Sequence, residues 1–179
     1  MIHNCNILKV AGIFFEEPSI NHYLIEISRK SGLAHTSVKN YLTLLKKEGL
    51  IKEIIEKKGK RKFPEYKADL ESFSYKMEKK TYNLSEIYNC GIIAEVRDKC
   101  MPRSIILFGS YAKGEDIESS DIDLFIESRK QVLSLEKFQK TLKRKIQLHF
   151  NSNFKEYPKE LKNNIINGNI LYGYLEVFV

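Results

Sequence analysis

The sequence has few cysteines and no long hydrophobic run. Its three cysteines are Cys5, Cys90 and Cys100, an odd number without CxxC spacing, which argues against a disulfide framework and against a zinc site. No stretch of about 18 apolar residues is present, so no membrane span is predicted. Residues 1–19 lack the basic segment and cleavage-like site of a secretory signal. A reducing cytoplasm is therefore the predicted location.

Charge is spread unevenly along the 179 residues, which are enough for one large domain or two small ones. The chain carries a formal net charge of +7. Residues 1–70 hold 13 Lys and Arg against 8 Asp and Glu, whereas residues 71–179 hold 17 against 15. A basic N-terminal part is a reason to consider nucleic acid as a partner, although many soluble proteins are basic.

The first part of the chain shows helical periodicity followed by a hairpin pattern. Apolar residues at helical spacing predict helices over 4–15, over 19–32 with Ser19 as the N-cap, and over 34–49. Two β-rich runs then flank the tip "KKGKRK" and predict a hairpin. This order, together with the ending "LLKKEGLIKE", resembles the winged helix-turn-helix domain of bacterial and archaeal regulators. The predicted domain covers residues 1–70.

The winged-helix resemblance implies binding to double-stranded DNA, with the second helix of the motif in the major groove. Its polar face would contact bases and phosphates through His35, Thr36, Ser37, Lys39, Asn40 and Thr43. The wing tip would neutralise phosphates through Lys57, Lys58, Lys60, Arg61 and Lys62. A homodimer is expected because such regulators read paired half-sites. A solvated polar surface and a protein-binding module stay open as alternatives.

Residues 71–91 are predicted as a helical linker, one or two helices long, from apolar residues at helical spacing. Two interpretations of this segment stay open. It forms a dimer interface, as in winged-helix regulators, or it simply packs between the two domains.

The stretch "SIILFGS" predicts a buried strand that ends in a sharp turn and leads into a short helix. Only glycine at position 109 lets a phosphate approach the backbone closely, and Ser110 adds a hydroxyl donor. The first backbone N–H groups of a helix attract anions. The turn is therefore predicted to hold a triphosphate. Lys113 is either a further contact to it or a solvated helix lysine.

The stretch "SDIDLFIE" predicts a strand that carries two carboxylates. Side chains alternate along a strand, so Asp121 and Asp123 share one face. Their mutual repulsion is relieved by Mg²⁺, which carboxylates and substrate phosphates commonly share. The pair is predicted to hold Mg²⁺, or Mn²⁺, against a phosphate at Gly109 and Ser110.

The whole pattern is Gly109-Ser110, Gly114 and Ser120-Asp121-Ile122-Asp123. It resembles the signature of nucleotidyltransferases of the DNA polymerase beta superfamily, and among them the minimal nucleotidyltransferases. The resemblance extends to the ending "NILYG" and gives a domain over residues 92–179. It implies an α+β chain in which a mixed sheet flanked by helices follows the winged helix, with nucleotide bound at Gly109, Ser110, Lys113 and Ser120. A polar loop with a solvated carboxylate pair is the alternative.

The pattern departs from the family at one position. A third carboxylate on the next strand is usual, but in "KIQLHF" the aligned residue is Gln147, with His149 next on the same face. An amide cannot take a proton, and loss of a general base costs about 10²–10⁴-fold in rate. His149 as the base is a hypothesis. Glu127 lies about 13 Å along the strand from Asp123, too far to share a metal.

Three functions are consistent with this sequence. In the first, the protein is an enzyme that transfers a nucleoside monophosphate from an NTP to a hydroxyl, with Asp121 and Asp123 as catalytic metal ligands. The acceptor could be a protein tyrosine or serine, a small molecule or an RNA end, and the resemblance implies a partner toxin protein as one possibility. In the second, the protein is a DNA-binding regulator whose impaired transferase domain senses a nucleotide or binds a partner. In the third, the winged helix docks a substrate protein.

Overall fold

The computed structural model describes residues 5–58, 61–152, 154 and 157–177. The chain divides into two compact units, 1–82 and 83–179, and helix α4 (Phe73–Cys90) continues from one into the other. Among the described residues, no helix is both long and apolar enough to cross a bilayer.

The first unit combines helices with a small antiparallel sheet. Its elements in chain order are α1 (Asn6–Glu16), β1 (His22–Tyr23), α2 (Leu24–Ser31), α3 (His35–Lys47), β2 (Ile51–Lys58) and β3 (Arg61–Ala68). The strand order is β1-β3-β2. Apolar residues at helical spacing, such as Phe14, Ile27 and Leu42, are fully buried in one core. The three helices and the hairpin predicted for this part are therefore confirmed, apart from one boundary.

The start of α2 differs from the prediction, because Ser19 does not cap it. His22 and Tyr23 instead form a short strand that pairs with Tyr66 and Glu65 of β3. The helix begins only after this pairing, and the side chain of Glu26 accepts a hydrogen bond from the Tyr23 amide at 2.9 Å. A tertiary strand pairing thus shortens a helix that local periodicity would extend.

The β2–β3 hairpin pairs residue by residue from Ile51 with Ala68 to Lys58 with Arg61. Its tip is where the sequence predicts a basic wing. Lys60 lies outside the described residues, as do the side chains of Lys57, Lys58, Arg61 and Lys62. The predicted phosphate contacts of this tip therefore stay predictions.

The segment after the hairpin is helical, as predicted, and residues 71–91 contain one helix, α4. A second helix, α5 (Ile92–Cys100), begins directly after Gly91. Near the start of α4, Tyr75 is fully buried in the first unit and donates a hydrogen bond to the Phe14 carbonyl at 2.8 Å. Near its end, Ile87 is fully buried in the core of the second unit.

A four-stranded mixed sheet forms the centre of the second unit. Its strands are β4 (Ser104–Phe108), β5 (Ile122–Ile126), β6 (Ile146–Phe150) and β7 (Asn169–Gly173), and its helices are α6 (Gly109–Lys113), α7 (Glu136–Leu142) and α8 (Lys159–Ile166). The strand order is β6-β5-β4-β7. β4 is antiparallel to β5 and β7, whereas β5 and β6 are parallel. A mixed sheet with helices agrees with the predicted fold.

Both faces of this sheet are buried, which explains the continuous apolar runs of β4 and β5. Ile105 and Leu107 face the larger core cluster, and Ile106 and Phe108 face a smaller one that includes Phe125. Strand β7 was not among the predicted elements. Its pairing with β4 leaves most of its side chains outside the core, so its sequence shows little of the strand pattern.

Candidate functional site

The turn between β4 and α6 brings the backbone against a carboxylate. Gly109 has φ of +78°, in the left-handed region that side chains rarely adopt. A Cβ atom at this position would lie 2.6 Å from Oδ2 of Asp123. Phe108 pairs with Asp123 across β4 and β5, so the strand register sets this approach. The turn therefore requires glycine for two independent reasons.

Asp123 lies within β5 and Asp121 directly precedes it, and both carboxylates lie on one side, as the alternation predicted. Each is bonded to a side chain of the parallel strand β6. Gln147 Nε2 donates a hydrogen bond to Asp121 Oδ2, and His149 Nε2 lies 3.1 Å from Asp123 Oδ1. The side chains of Asp123 and His149 are 26% and 28% exposed, so a ligand can reach them. The structure thus brings together the four residues that the sequence placed at this site.

The imidazole of His149 is also held from the side. Its ring centroid lies 5.1 Å from that of Phe108, with a tilt of 60° between the ring planes. Phe108 is 4% exposed and belongs to the smaller core cluster. A packed ring and a hydrogen bond to Asp123 together fix the imidazole on the same side of the sheet as the carboxylates.

Three residues predicted to bind nucleotide have different surroundings. Ser110 is partly exposed in the first turn of α6, and Lys113 is exposed at its end. The hydroxyl of Ser120 accepts a hydrogen bond from the Ile117 amide at 3.0 Å, so its acceptor role is used within the loop before β5. That hydroxyl can still donate its proton.

A buried polar network, which no local sequence pattern indicates, lies next to the site. Asn83 donates to the Tyr111 carbonyl at 2.9 Å and to Asp116 Oδ1 at 2.8 Å. The Arg144 guanidinium lies 3.4 Å from Asp116 Oδ2. Asp116 is 1% and Arg144 7% exposed. The network ties α6 and the loop after it to the start of β6, and so fixes both elements that border Asp121.

Burial also changes the pKa of a phenol next to this network, that of Tyr111. Tyr111 is 4% exposed within α6. Burial, and secondarily the negative charge of Asp116, raises the pKa of Tyr111 far above its usual range. Tyr111 is therefore a neutral core residue. Glu127 is buried too and accepts a hydrogen bond from Ser104 at 3.0 Å.

A cleft of about 540 Å³ adjoins Asp121 in the second unit. Its lining residues are all polar or charged: Glu118, Ser119, Ser120, Asp121, Gln139, Lys140, Lys143, Arg144 and Lys145. Four of these nine residues are cations and two are carboxylates. No local sequence pattern indicates the cleft, because its two walls come from segments about twenty residues apart.

In the first unit, the polar face of α3 is on the surface. His35, Thr36, Lys39, Asn40 and Thr43 are exposed, and Ser37 is half-buried. Val38, Leu42 and Leu45 on the other face are buried, as the predicted stripe requires. The Thr43 hydroxyl donates to the Lys39 carbonyl at 3.0 Å. This face is available for the contacts predicted from the sequence.

Comparison with known proteins identifies the class of the second unit. Residues 91–176 match the family model described as polymerase beta, nucleotidyltransferase, so the chain contains a nucleotidyltransferase domain. It is also similar to a candidate protein adenylyltransferase of Methanocaldococcus jannaschii, with 56% identity over 32 residues. Those residues are 18% of this chain, and the chain spans about a third (32%) of the relative's length. No solved structure matches the chain.

Proposed function

We propose that the second unit transfers a nucleoside monophosphate from an NTP to a hydroxyl acceptor. One observation carries the proposal. The carboxylate of Asp123 lies against the Gly109 turn, and Asp121 stands two residues away on the same face. Two oxygen donors next to a small, open turn form a place where a triphosphate and a metal can be held together. The match of residues 91–176 to a nucleotidyltransferase family supports it.

Asp121 and Asp123 would hold Mg²⁺, or Mn²⁺, and the donor set fits a hard cation. Among the described residues, no group of three or more His, Cys, Asp or Glu is arranged to hold a metal. Two carboxylates are nevertheless what Mg²⁺ commonly takes from a protein, since phosphates and water complete its coordination. When bound, the ion supplies positive charge that stabilises the reacting phosphate oxygens.

The reaction exchanges one phosphorus–oxygen bond for another. The acceptor oxygen bonds to the α-phosphorus, the bond from that phosphorus to the bridging oxygen breaks, and pyrophosphate leaves. The hydroxyl proton passes to solvent water or to His149, because Gln147 cannot accept it. Gly109 and Ser110 contact the leaving phosphates, and Gln147 and His149 orient the two carboxylates through the hydrogen bonds already described.

A protein hydroxyl is the acceptor that we favour. The relative with 56% identity over 32 residues is named for protein adenylylation, which supports ATP as donor and a protein as acceptor. A toxin protein encoded by a neighbouring gene is the first candidate. Co-purification of that neighbour with the protein, and its labelling by the protein, would support this choice.

The test is label transfer from each α-labelled NTP, with Mg²⁺, to the neighbouring gene product and to a host extract. Removing two metal ligands together withdraws several kcal/mol of transition-state stabilisation, so an Asp121→Ala, Asp123→Ala variant should lose about 10³-fold in rate. A Glu136→Ala, Glu160→Ala variant, at two exposed positions outside the site and the cleft, is the control with the same change of charge. Equal transfer by both variants would contradict the proposal. A further His149→Ala variant with an unchanged rate would assign the proton to water.

A second candidate function is regulation of transcription, favoured by the exposed polar face of α3. The first unit has helix, strand, two helices and hairpin in the order typical of a winged helix-turn-helix. In this proposal the first unit binds double-stranded DNA as a homodimer, and the second unit senses a nucleotide. Salt-dependent binding to the protein's own upstream DNA in preference to random duplex would support it. Equal binding to both duplexes would contradict it.

A further inference from the structure

The cleft beside Asp121 has no role in the reaction described above. Its place relative to the strands of the sheet indicates which reactant it could bind. The strand order is β6-β5-β4-β7, Asp123 belongs to β5, and Asp121 directly precedes that strand. Gly109 and Ser110 follow β4, on one side of β5. Lys145 directly precedes β6, on the other side, and its carbonyl accepts a hydrogen bond from the Ile122 amide at 2.8 Å. The carboxylates therefore stand between the phosphate turn and the cleft.

The strand order suggests separate places for the two reactants, the NTP and the acceptor. In nucleotidyl transfer the attacking and the leaving oxygen lie roughly in line through phosphorus. If the leaving phosphates rest against Gly109 on the β4 side, the acceptor hydroxyl must arrive from the β6 side. The cleft lies on that side and contains Asp121 in its wall. The side chains that line the cleft are therefore those that the acceptor meets.

The charged side chains that line the cleft indicate the sign of the charge on the acceptor. Four cations face two carboxylates, those of Glu118 and Asp121. Arg144 is bound to the buried Asp116, but Lys140 and Lys145 are both exposed. Gln147 also reduces the negative charge near the cleft, because a neutral amide stands where the resemblance would place a third carboxylate. An acceptor that brings negative charge is favoured here.

The lining also separates two kinds of anionic acceptor. Sites for single-stranded nucleic acid combine basic side chains with aromatic rings on which bases stack. None of the nine side chains that line the described cleft is aromatic. Serines and lysines offer hydrogen bonds and charge, which suits carboxylate side chains on a polypeptide. We propose that the cleft binds an acidic protein segment that carries the acceptor hydroxyl. This inference rests on the proposed function, since it names the acceptor of that reaction.

The test is a binding measurement that needs no turnover. The probes are a fluorescent Glu-rich peptide with one central tyrosine, its counterpart with Gln in place of Glu, and a single-stranded oligonucleotide of equal length. The full-length protein is compared with a Lys140→Ala, Lys145→Ala variant. The matched control is Lys130→Ala, Lys159→Ala, which removes two exposed lysines of the same unit outside the cleft.

We expect the Glu-rich peptide to bind about tenfold more weakly to the cleft variant than to the control, and more weakly as salt increases. The Gln peptide should not distinguish the two variants, and neither should ATP with Mg²⁺. Equal affinity of the Glu-rich peptide for both variants would overturn the inference. So would a selective loss of oligonucleotide or of ATP, since the cleft would then hold nucleic acid or the nucleotide itself. The proposed function is read separately, from label transfer by the Asp121, Asp123 variant.

Discussion

The two units differ in how many polar groups they bury. Among the described residues, the first unit buries His22 and Lys79, and the second buries Asn83, Ser104, Asp116, Glu127 and Arg144. In the first unit, the described residues that carry the predicted recognition chemistry, such as Lys39 and Asn40, are exposed around an apolar core. In the second unit, Asp116 and Arg144 are paired in the interior, and the buried Glu127 accepts a hydrogen bond from Ser104. Burying a charge is costly unless it is paired.

This difference indicates what each unit requires of its fold. A surface that binds a partner needs side chains on a rigid helix, and packing against an apolar core provides that rigidity. A site that positions two carboxylates near a backbone turn needs the turn and the strand ends to be fixed, and buried hydrogen bonds provide directions that apolar packing lacks. The second unit should therefore be sensitive to single polar substitutions in its interior, and the first unit should tolerate polar changes on α3.

The largest expected effect is on the buried network of the second unit. An Asp116→Ala variant leaves the Arg144 guanidinium and the Asn83 amide in the interior without this carboxylate. Breaking a buried pair in this way costs about 3–5 kcal/mol in the free energy of unfolding. Hydrogen exchange of the β5 amides measures that free energy. Asp98→Ala, which breaks an exposed pair with Arg97, should change the free energy of unfolding far less.

A second substitution sharpens this result. An Asp116→Ala, Arg144→Met double variant removes the isolated charge and should recover much of the loss, because buried ion pairs can be replaced by apolar residues at little cost. If the single Asp116→Ala variant were as stable as Asp98→Ala, the contrast between the two units would not hold.

The next effect concerns the phosphate turn. Gly109 and Gly91 both have positive φ, +78° and +83°, so alanine at either position costs about 1–2 kcal/mol of backbone strain. A Cβ atom at 91 meets nothing within 4 Å, whereas at 109 it lies 2.6 Å from Asp123 Oδ2. Gly109→Ala should therefore weaken Mg²⁺-dependent nucleotide binding by about 10–100-fold through displacement of the carboxylate. Titration with a fluorescent NTP measures it. A matching loss in Gly91→Ala would show that strain alone is responsible.

Sequence patterns predicted most of the fold where a local signal is strong. Helical spacing marks α1 and α3, and apolar runs mark β4 and β5, since burial on one or both faces dictates these patterns. The core of the site was predicted for a similar reason. Gly109 and the two aspartates lie within fifteen residues of each other, and strand alternation places Gln147 and His149 on a common face.

The features that sequence reasoning missed depend on tertiary pairing. Strand β1 consists of two residues whose extended form comes from pairing with β3. The bond from Asn83 to Asp116 joins residues 33 positions apart, and no periodic pattern marks either residue. The basic cleft likewise forms only when β5 and β6 begin side by side. Such contacts are specified by the fold as a whole, so a single sequence without its structure does not display them.

A smaller effect is expected on the surface of the first unit. Lys39→Ala removes one exposed cation from α3, and each phosphate contact to a duplex contributes about 0.9 to the slope of log affinity against log salt. We expect the slope for double-stranded DNA to fall by about this amount, with no change in stability. Fluorescence anisotropy at several salt concentrations measures it. Lys76→Ala on α4 is the control, and an equal fall there would mean that binding responds to overall charge and not to this helix.

The smallest effect is a pH dependence that belongs to the first unit. His22 is 1% exposed, packs edge-on against Phe14 and lies 3.4 Å from the Glu17 carboxylate. Burial, and next the charge of Lys30, lowers the pKa of His22 in the folded state, although Glu17 and Glu26 oppose this. The unfolded chain then takes up the proton first as the pH falls. The contribution of the neutral His22 to the free energy of unfolding is therefore fully present above the ordinary histidine pKa of 6.5. It is lost gradually below that pH.

Chemical denaturation of the first unit between pH 7.5 and pH 5.5 tests this sign. The free energy of unfolding should decline with falling pH in the wild-type protein and in a His35→Gln variant, because His35 is exposed. A His22→Gln variant should be less stable at neutral pH but should show a shallower decline. An equal slope in the two variants would assign the pH dependence to the carboxylates of the unit instead. It would also show that the interior of the first unit tolerates a charged imidazole. The two units would then differ less in how they accommodate buried charge.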